Sequence, residues 1–174
     1  MWRIIRPIFI MVLLLLPGRQ GAGTPGPGGD EDFCTVFFRI IKSAVETNFE
    51  SIKGENMGLV MKGSNKIEKW KSVENLPGYT NGIISKSFGT SFFTTIWESN
   101  EVDASMTGAY DQFVLTIDDC LSPAWVIQQT PKEGLYKKMS ISRRQAEEVL
   151  KFPNITLEIN RVDDKYALQL RIVK

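Results

Sequence analysis

The chain of 174 residues contains no histidine, and this absence removes several kinds of chemistry at once. Catalytic sites that pair serine or cysteine with histidine need an imidazole as the base, so neither kind is available here. Histidine is also the commonest transition-metal ligand and the side chain that titrates nearest to neutral pH. The sequence therefore predicts no cofactor and no metal site, and carboxylates remain the main candidates for acid-base chemistry.

A basic surface of the kind that binds nucleic acid is also missing. The chain has 21 Lys and Arg residues against 20 Asp and Glu residues, and the basic residues are dispersed. Residues 1–22 contain three of the arginines and no acidic residue, so the remainder has 18 basic and 20 acidic residues. Because a nearly neutral, mixed surface lacks the positive stripe that contacts phosphates, we expect no nucleic-acid partner.

Long apolar runs are scarce, and the run near the amino terminus is short. Arg3 and Arg6 precede an apolar segment from Pro7 to Leu16. This segment has about half of the roughly 20 residues that a helix needs to span a bilayer. A basic segment before a short apolar run is typical of a cleavable export signal. We therefore predict a signal peptide over residues 1–22, a secreted or periplasmic location, and no stable membrane span after cleavage.

Glycine and proline dominate the residues that follow the predicted signal peptide. A segment of this composition cannot bury enough surface to offset its ordering entropy, so we predict a flexible linker over residues 23–30. Residues 31–174 have the usual length of one domain, and the chain is long enough to bury a core. We predict that this segment forms a single α+β domain.

Apolar periodicity predicts two main helices in this domain. Apolar residues at three- and four-residue spacing indicate a first helix from Phe33 to about Lys53, with Asp32 as its N-cap. A similar pattern indicates a second helix from Val102 to Asp118. Residues 55–64 are polar and contain several glycines, which predicts a loop.

Alternating apolar residues predict the strands. Three strands are expected between the helices and two or three after them, including a hairpin near the carboxyl terminus. Strands joined by short turns pair antiparallel. The predicted fold is therefore an antiparallel sheet of about five or six strands with two main helices on one face, in the order α-β-β-β-α-β-β. The predicted strands between the helices cover residues 67–73, 82–86 and 91–99.

This order of elements resembles that of the small domains of bacterial secretion chaperones, which bind unfolded effector segments. The resemblance covers most of residues 31–174 and rests on element order, with no motif behind it. It implies an α+β fold. Those chaperones act in the cytoplasm and are usually acidic, whereas this chain carries an export signal and is nearly neutral, so we do not extend the resemblance to function.

The chain has two cysteines, Cys34 in the first turn of the first helix and Cys120 near the end of the second. A cysteine pair in an exported protein favours a disulfide. Two antiparallel helices lying side by side would bring these residues within reach of each other. A bridge closing a loop of about 86 residues would stabilise the domain by roughly 4 to 5 kcal/mol. The alternative is a pair of separate buried thiols.

Carboxylates offer one hypothesis for function. Glu98, Asp103 or Asp111 would serve a small extracytoplasmic hydrolase as acid or base if two carboxylates converged in a pocket. The alternative is that these groups are solvated or cap helices, because isolated carboxylates are rarely buried.

Aromatic residues in and beside the strands offer another hypothesis. If the helices cover one sheet face, Phe93 and Trp97 would lie on the other and form an apolar patch. Burial within the domain or in a homodimer is the alternative. Our leading hypothesis is a non-enzymatic binding or protein-interaction module for another protein or a small apolar ligand; the alternatives are the hydrolase and a structural or assembly-helper component of an envelope complex. The candidate binding residues are Phe93, Trp97, Trp70, Tyr79 and Trp125.

Overall fold

A computed structural model describes residues 31–131, 137–149, 151–162 and 164–174 of the chain. The predicted signal peptide over residues 1–22 and the predicted linker over residues 23–30 lie outside the described residues. The described part has a mixed α+β fold. Its elements are α1 (Phe33–Thr47), β1 (Lys53–Lys62), β2 (Asn65–Ser72), β3 (Ile83–Lys86), β4 (Thr90–Ser99), α2 (Ala104–Cys120), β5 (Trp125–Pro131), β6 (Lys137–Arg143), α3 (Ala146–Val149), β7 (Asn154–Val162) and β8 (Lys165–Val173).

The first helix begins as the sequence predicts and ends earlier. The side chain of Asp32 accepts a hydrogen bond from the backbone N–H of Thr35, which satisfies one of the free donors at the helix start. Asn48 and Phe49 then adopt left-handed backbone angles, with φ of 49° and 66°. Because consecutive left-handed residues cannot continue a right-handed helix, α1 stops at Thr47 and the chain turns into β1.

The eight strands of the described residues form one sheet in the order β1-β2-β3-β4-β8-β7-β6-β5, and every neighbouring pair is antiparallel. The elements α1 and β1 to β4 make one half of this sheet, and α2 and β5 to β8 make the other. The last strands of the halves, β4 and β8, pair at the centre, while β1 and β5 form the two edges. The two halves therefore repeat one helix followed by four strands.

One face of the sheet contributes most of its buried apolar residues. Cross-strand neighbours Phe92, Ile172, Ile155 and Ile141 are all fully buried, and they form a row across four strands. The buried sides of α1 and α2 belong to the same core. Within the described part of the chain, no helix is both long and apolar enough to cross a bilayer.

The sheet is larger than the sequence predicts, having eight strands instead of five or six, and a short third helix is added. The predicted loop over residues 55–64 is wrong, because most of it belongs to β1. Residues 55–62 are exposed on both faces, so this strand shows no alternation of buried and exposed positions. Gly58, with φ of +91°, lies at an irregularity in the pairing with β2.

The two cysteines lie at the ends of neighbouring helices. Cys34 in the first turn of α1 and Cys120 at the end of α2 form a disulfide, with their Cα atoms 5.3 Å apart. Near this bond, the rings of Phe33 and Phe113 meet edge to face at 5.5 Å. The helices are therefore joined both covalently and by aromatic packing.

We expect replacement of both cysteines, Cys34→Ser with Cys120→Ser, to lower the free energy of unfolding by about 2 to 5 kcal/mol. The physical reason is that an open chain gains conformational freedom in the unfolded state. Urea denaturation of the oxidised wild type and the double variant measures the difference. The reduced wild type serves as control and should unfold with the variant; equal midpoints for the oxidised protein and the variant would contradict the expectation.

The same substitution at two glycines should have opposite effects. A Cβ atom on Gly82 would lie 2.5 Å from Cζ of Phe92, whose ring is fully buried and cannot move aside. Gly82→Ala should therefore destabilise the fold by about 1 to 3 kcal/mol through overpacking. Gly108, in the exposed part of α2, has no atom near such a Cβ, so Gly108→Ala should stabilise by about 0.5 to 1 kcal/mol. Thermal denaturation of both variants tests the pair, and a shift of the same sign in both would refute this account.

Candidate functional site

The aromatic residues proposed as a binding surface lie in separate parts of the fold. Trp70 belongs to β2 and Trp125 to β5, and five strands lie between them. The Nζ atom of Lys53 lies 3.8 Å from the ring centre of Trp70. Trp125 is buried against Phe152, with ring centres 5.7 Å apart. These two indoles therefore do not contribute to one surface.

Tyr79 packs against both helices and is partly buried. Its ring meets Phe113 of α2 at 4.7 Å and Phe33 of α1 at 6.4 Å, both edge to face. Burial raises the pKa of the Tyr79 hydroxyl above its usual value. The loop between β2 and β3 is held onto the helix layer by this contact.

Phe93 and Trp97 of β4 lie on either side of an irregularity in the pairing with β8. Phe93 pairs with Arg171 of β8, whereas an irregularity after Thr95 brings Trp97 opposite Leu168, a fully buried core residue. An extra residue in one strand shifts the alternation of every following side chain, so the regular pattern that the sequence suggests ends there. Trp97 remains 44% exposed near the end of β4.

Beyond the end of β3, Thr80 takes the place of a strand residue beside β4. The paired residues of β3 reach only as far as Phe93, and beyond that point Thr80 contacts β4. The Thr80 hydroxyl donates a hydrogen bond to the carbonyl of Thr95 at 2.5 Å and accepts one from its N–H at 3.2 Å. The buried hydroxyl of Thr94 donates to the Thr80 carbonyl at 2.6 Å. One side chain thus satisfies the backbone groups that a longer β3 would have bonded.

A groove of about 330 Å³ opens beside this contact. Its volume is at the lower end of the range for small-molecule sites. Lys71 and Glu98 supply opposite charges to its walls, and Met57 and Ile83 supply apolar surface. The described lining consists of Met57, Lys71, Thr80, Asn81, Ile83, Thr94, Thr95 and Glu98.

The three carboxylates considered for hydrolysis are separated. Glu98 is the one carboxylate in the described lining of the groove. Asp103 caps α2 by accepting a hydrogen bond from the N–H of Met106 at 2.8 Å. Asp111 accepts hydrogen bonds from Lys137. The described residues contain no cluster of three or more metal-binding side chains.

A second cavity, of about 460 Å³, lies between the end of α2 and the edge strand β5. Asp118 and Arg144 line it together with Trp125. The guanidinium of Arg144 donates to the carbonyl of Pro123 at 3.1 Å, which ties it to the loop beyond α2. This cation therefore holds the loop in place.

Four of the exposed large apolar residues in the described part of the chain lie on β1, where no candidate was proposed. Every residue from 55 to 62 is exposed. Met57, Leu59, Val60 and Met61 are between 44% and 60% exposed, although they stand in a ten-residue strand at the edge of the sheet. Such a strand is a common site of association between chains or with another surface.

A second exposed apolar segment lies at the end of the sheet where β1 ends. Leu59, Glu68, Lys86 and Thr90 form one cross-strand row through β1, β2, β3 and β4. Beyond this row, the chain continues into the hairpin end of β1 and β2 and into the turn at residues 87–89. Phe88 in that turn is 91% exposed. We call these residues the tip surface: Leu59, Val60, Met61, Lys62, Lys66, Lys86 and Phe88.

The tip surface was missed because its strand has no buried side. The signal in the sequence was the short Gly63-Ser64 connection between two extended segments, which is typical of a hairpin. Comparison with known proteins adds no functional site, since no family model, no curated protein and no solved structure matches the chain.

We expect Thr80→Val to weaken the fold beside the groove, because it leaves the N–H and carbonyl of Thr95 without their partner. Because both hydrogen bonds are solvent-exposed and water can replace the hydroxyl, the free energy of unfolding should fall by about 0.5 to 1.5 kcal/mol, the usual net contribution of a hydrogen bond. Thr80→Ser keeps the hydroxyl and is the matched control. Denaturation curves and amide exchange at Thr95 measure the effect. If the valine and serine variants behave alike, the hydroxyl does not have this role.

Proposed function

We propose that this chain is a non-enzymatic binding module and that the tip surface is its contact surface. The observation that carries the proposal is the exposure of three apolar residues of the edge strand β1, Leu59, Val60 and Met61, together with Phe88. Burial of exposed apolar surface against a partner is favourable by about 25 cal/mol for each Å² covered. A surface of this kind is therefore favoured to bind.

The contrast between the two edges of the sheet supports this proposal. The opposite edge, β5, exposes the polar residues Gln128, Gln129 and Thr130 and ends at Pro131. Polar side chains and proline are common ways in which an edge strand avoids contact with other chains. In β1 the corresponding positions are apolar, although the strand occupies the equivalent place in its half of the sheet. The two edges are thus built from different residue types.

The distribution of carboxylates favours binding over hydrolysis. A hydrolase of the carboxylate type needs two such groups on either side of one bond. Glu98 is the one carboxylate in the described lining of the groove, whose Lys71 pairs with Glu55 at 3.0 Å. Asp103 and Asp111 are engaged elsewhere. The groove is better suited to anchoring a polar group of a ligand than to transferring a proton between two carboxylates.

We further propose that the module acts outside the cytoplasm. Disulfides persist in oxidising compartments, and the Cys34–Cys120 bond fits such a location. The signal peptide proposed for residues 1–22 would deliver the chain there.

A photoreactive amino acid placed at Val60 or at Phe88 tests whether the tip surface is a contact surface. In host cells that export the full chain, both positions should give a reproducible covalent adduct, because a bound partner would lie against them. Leu115 is the matched control, since it is 58% exposed on α2, away from the tip surface. Mass spectrometry of the purified adducts is the measurement.

The result is judged against that control. Adducts at Val60 and Phe88 with none at Leu115 would support the proposal, whether the captured partner is protein or lipid. Equal labelling at all three positions, or no adduct at either tip position, would argue that the function lies elsewhere.

A further inference from the structure

We propose that the tip surface docks on a membrane surface that carries anionic lipids. This inference rests on the proposed function and names the partner of the same site. It follows from the shape of the surface, from its charge and from the location of the acidic residues.

Two apolar tips project side by side at one end of the sheet. Phe88 occupies the turn between β3 and β4, and Val60 and Met61 occupy the hairpin of β1 and β2. The row from Leu59 to Thr90 spans three strand spacings, or about 14 Å. The tips are convex, so a protein partner would need a matching pocket for each of them. Lipid acyl chains rearrange around a projecting side chain, and this shape therefore favours a bilayer.

Lysines surround the apolar tips. Lys62, Lys66 and Lys86 are all exposed, and they flank the apolar residues on both turns. In residues 59–68 and 86–90, Glu68 is the one carboxylate, and its side chain lies 3.7 Å from Nζ of Lys66. Apolar side chains ringed by lysines match a bilayer whose headgroups are anionic.

The acidic residues at this end of the fold include Glu147 and Glu148 of α3, and Glu148 pairs with Arg143 at 2.7 Å. Asp118 and Asp119 end α2, and Asp118 lines the cavity beside β5. From the Phe88 turn beside β4, β6 is three strand spacings away and β5 is four, or about 14 and 19 Å. Because these distances exceed the screening length at physiological salt, these carboxylates oppose docking of the tip surface only weakly.

Sedimentation of the oxidised protein with lipid vesicles tests the proposal. We expect binding to vesicles of phosphatidylcholine with phosphatidylserine, and little binding to phosphatidylcholine alone. Phe88→Ser should lower the partition coefficient roughly tenfold because it removes an aromatic side chain from the interface. Replacing Lys62 or Lys66 by Gln should lower it roughly fivefold for each lysine. Added salt should release the protein.

Val162→Ser is the matched control. Val162 is 40% exposed in the hairpin of β7 and β8, at the opposite end of the sheet. Its replacement should leave vesicle binding unchanged. All of these positions are exposed, and thermal denaturation confirms that each variant is folded.

A fluorescent residue locates the contact. The emission of Phe88→Trp should shift to shorter wavelength when anionic vesicles are added, because the indole would enter an apolar layer. Val162→Trp should show no such shift.

Absence of binding to anionic vesicles, or binding that is insensitive to Phe88→Ser and the lysine variants, would overturn the proposal. Self-association without lipid, seen in the ultracentrifuge and lost in Val60→Ser, would also overturn it if no vesicles are bound. That result would leave the proposed function standing with a second copy as the partner. The proposed function itself would fail only if the crosslinking at the tip surface failed as well.

Discussion

The antiparallel pairing of β4 with β8 is the interaction on which the rest of this structure depends. It joins two halves that each consist of a helix and four strands, and it places the last strand of each half at the centre of the sheet. The buried residues Phe92 and Leu170 of these central strands belong to the core shared with α1 and α2. The Cys34–Cys120 disulfide joins the helices of the two halves covalently.

The edge strand β1 lies away from this central core. Side chains near β4 and β8 lie within reach of both helices, whereas residues 55–62 of β1 have no layer over either face. The hairpin of β1 and β2 therefore extends past the core as an arm. The apolar residues on this arm keep 44% to 60% of their surface exposed, which is why we assign them to contact with a partner.

Much of the fold can be predicted where a side chain has a buried side. The helical spacing of Val36, Phe37 and Ile40 marks α1, and the alternation of Ile155 and Leu157 marks β7, because each pattern follows from burial of one face. The same reasoning failed for β1, which buries neither face. It also gave no sign of the irregularity after Thr95, because that shift arises in the pairing with β8 and no local pattern records it.

The sequence by itself determined that histidine-dependent chemistry is absent, that the fold is α+β and that a cysteine pair is present. Composition and periodicity can be read from the sequence without knowledge of long-range contacts. Only the tertiary structure decided which strands became edges and which residues shared a surface. Leu59 and Phe88 are far apart in sequence, and they lie at the same end of the sheet because β2 and β3 pair between them. Strand order is a property of long-range pairing, and a single pattern of apolar residues is compatible with several such orders.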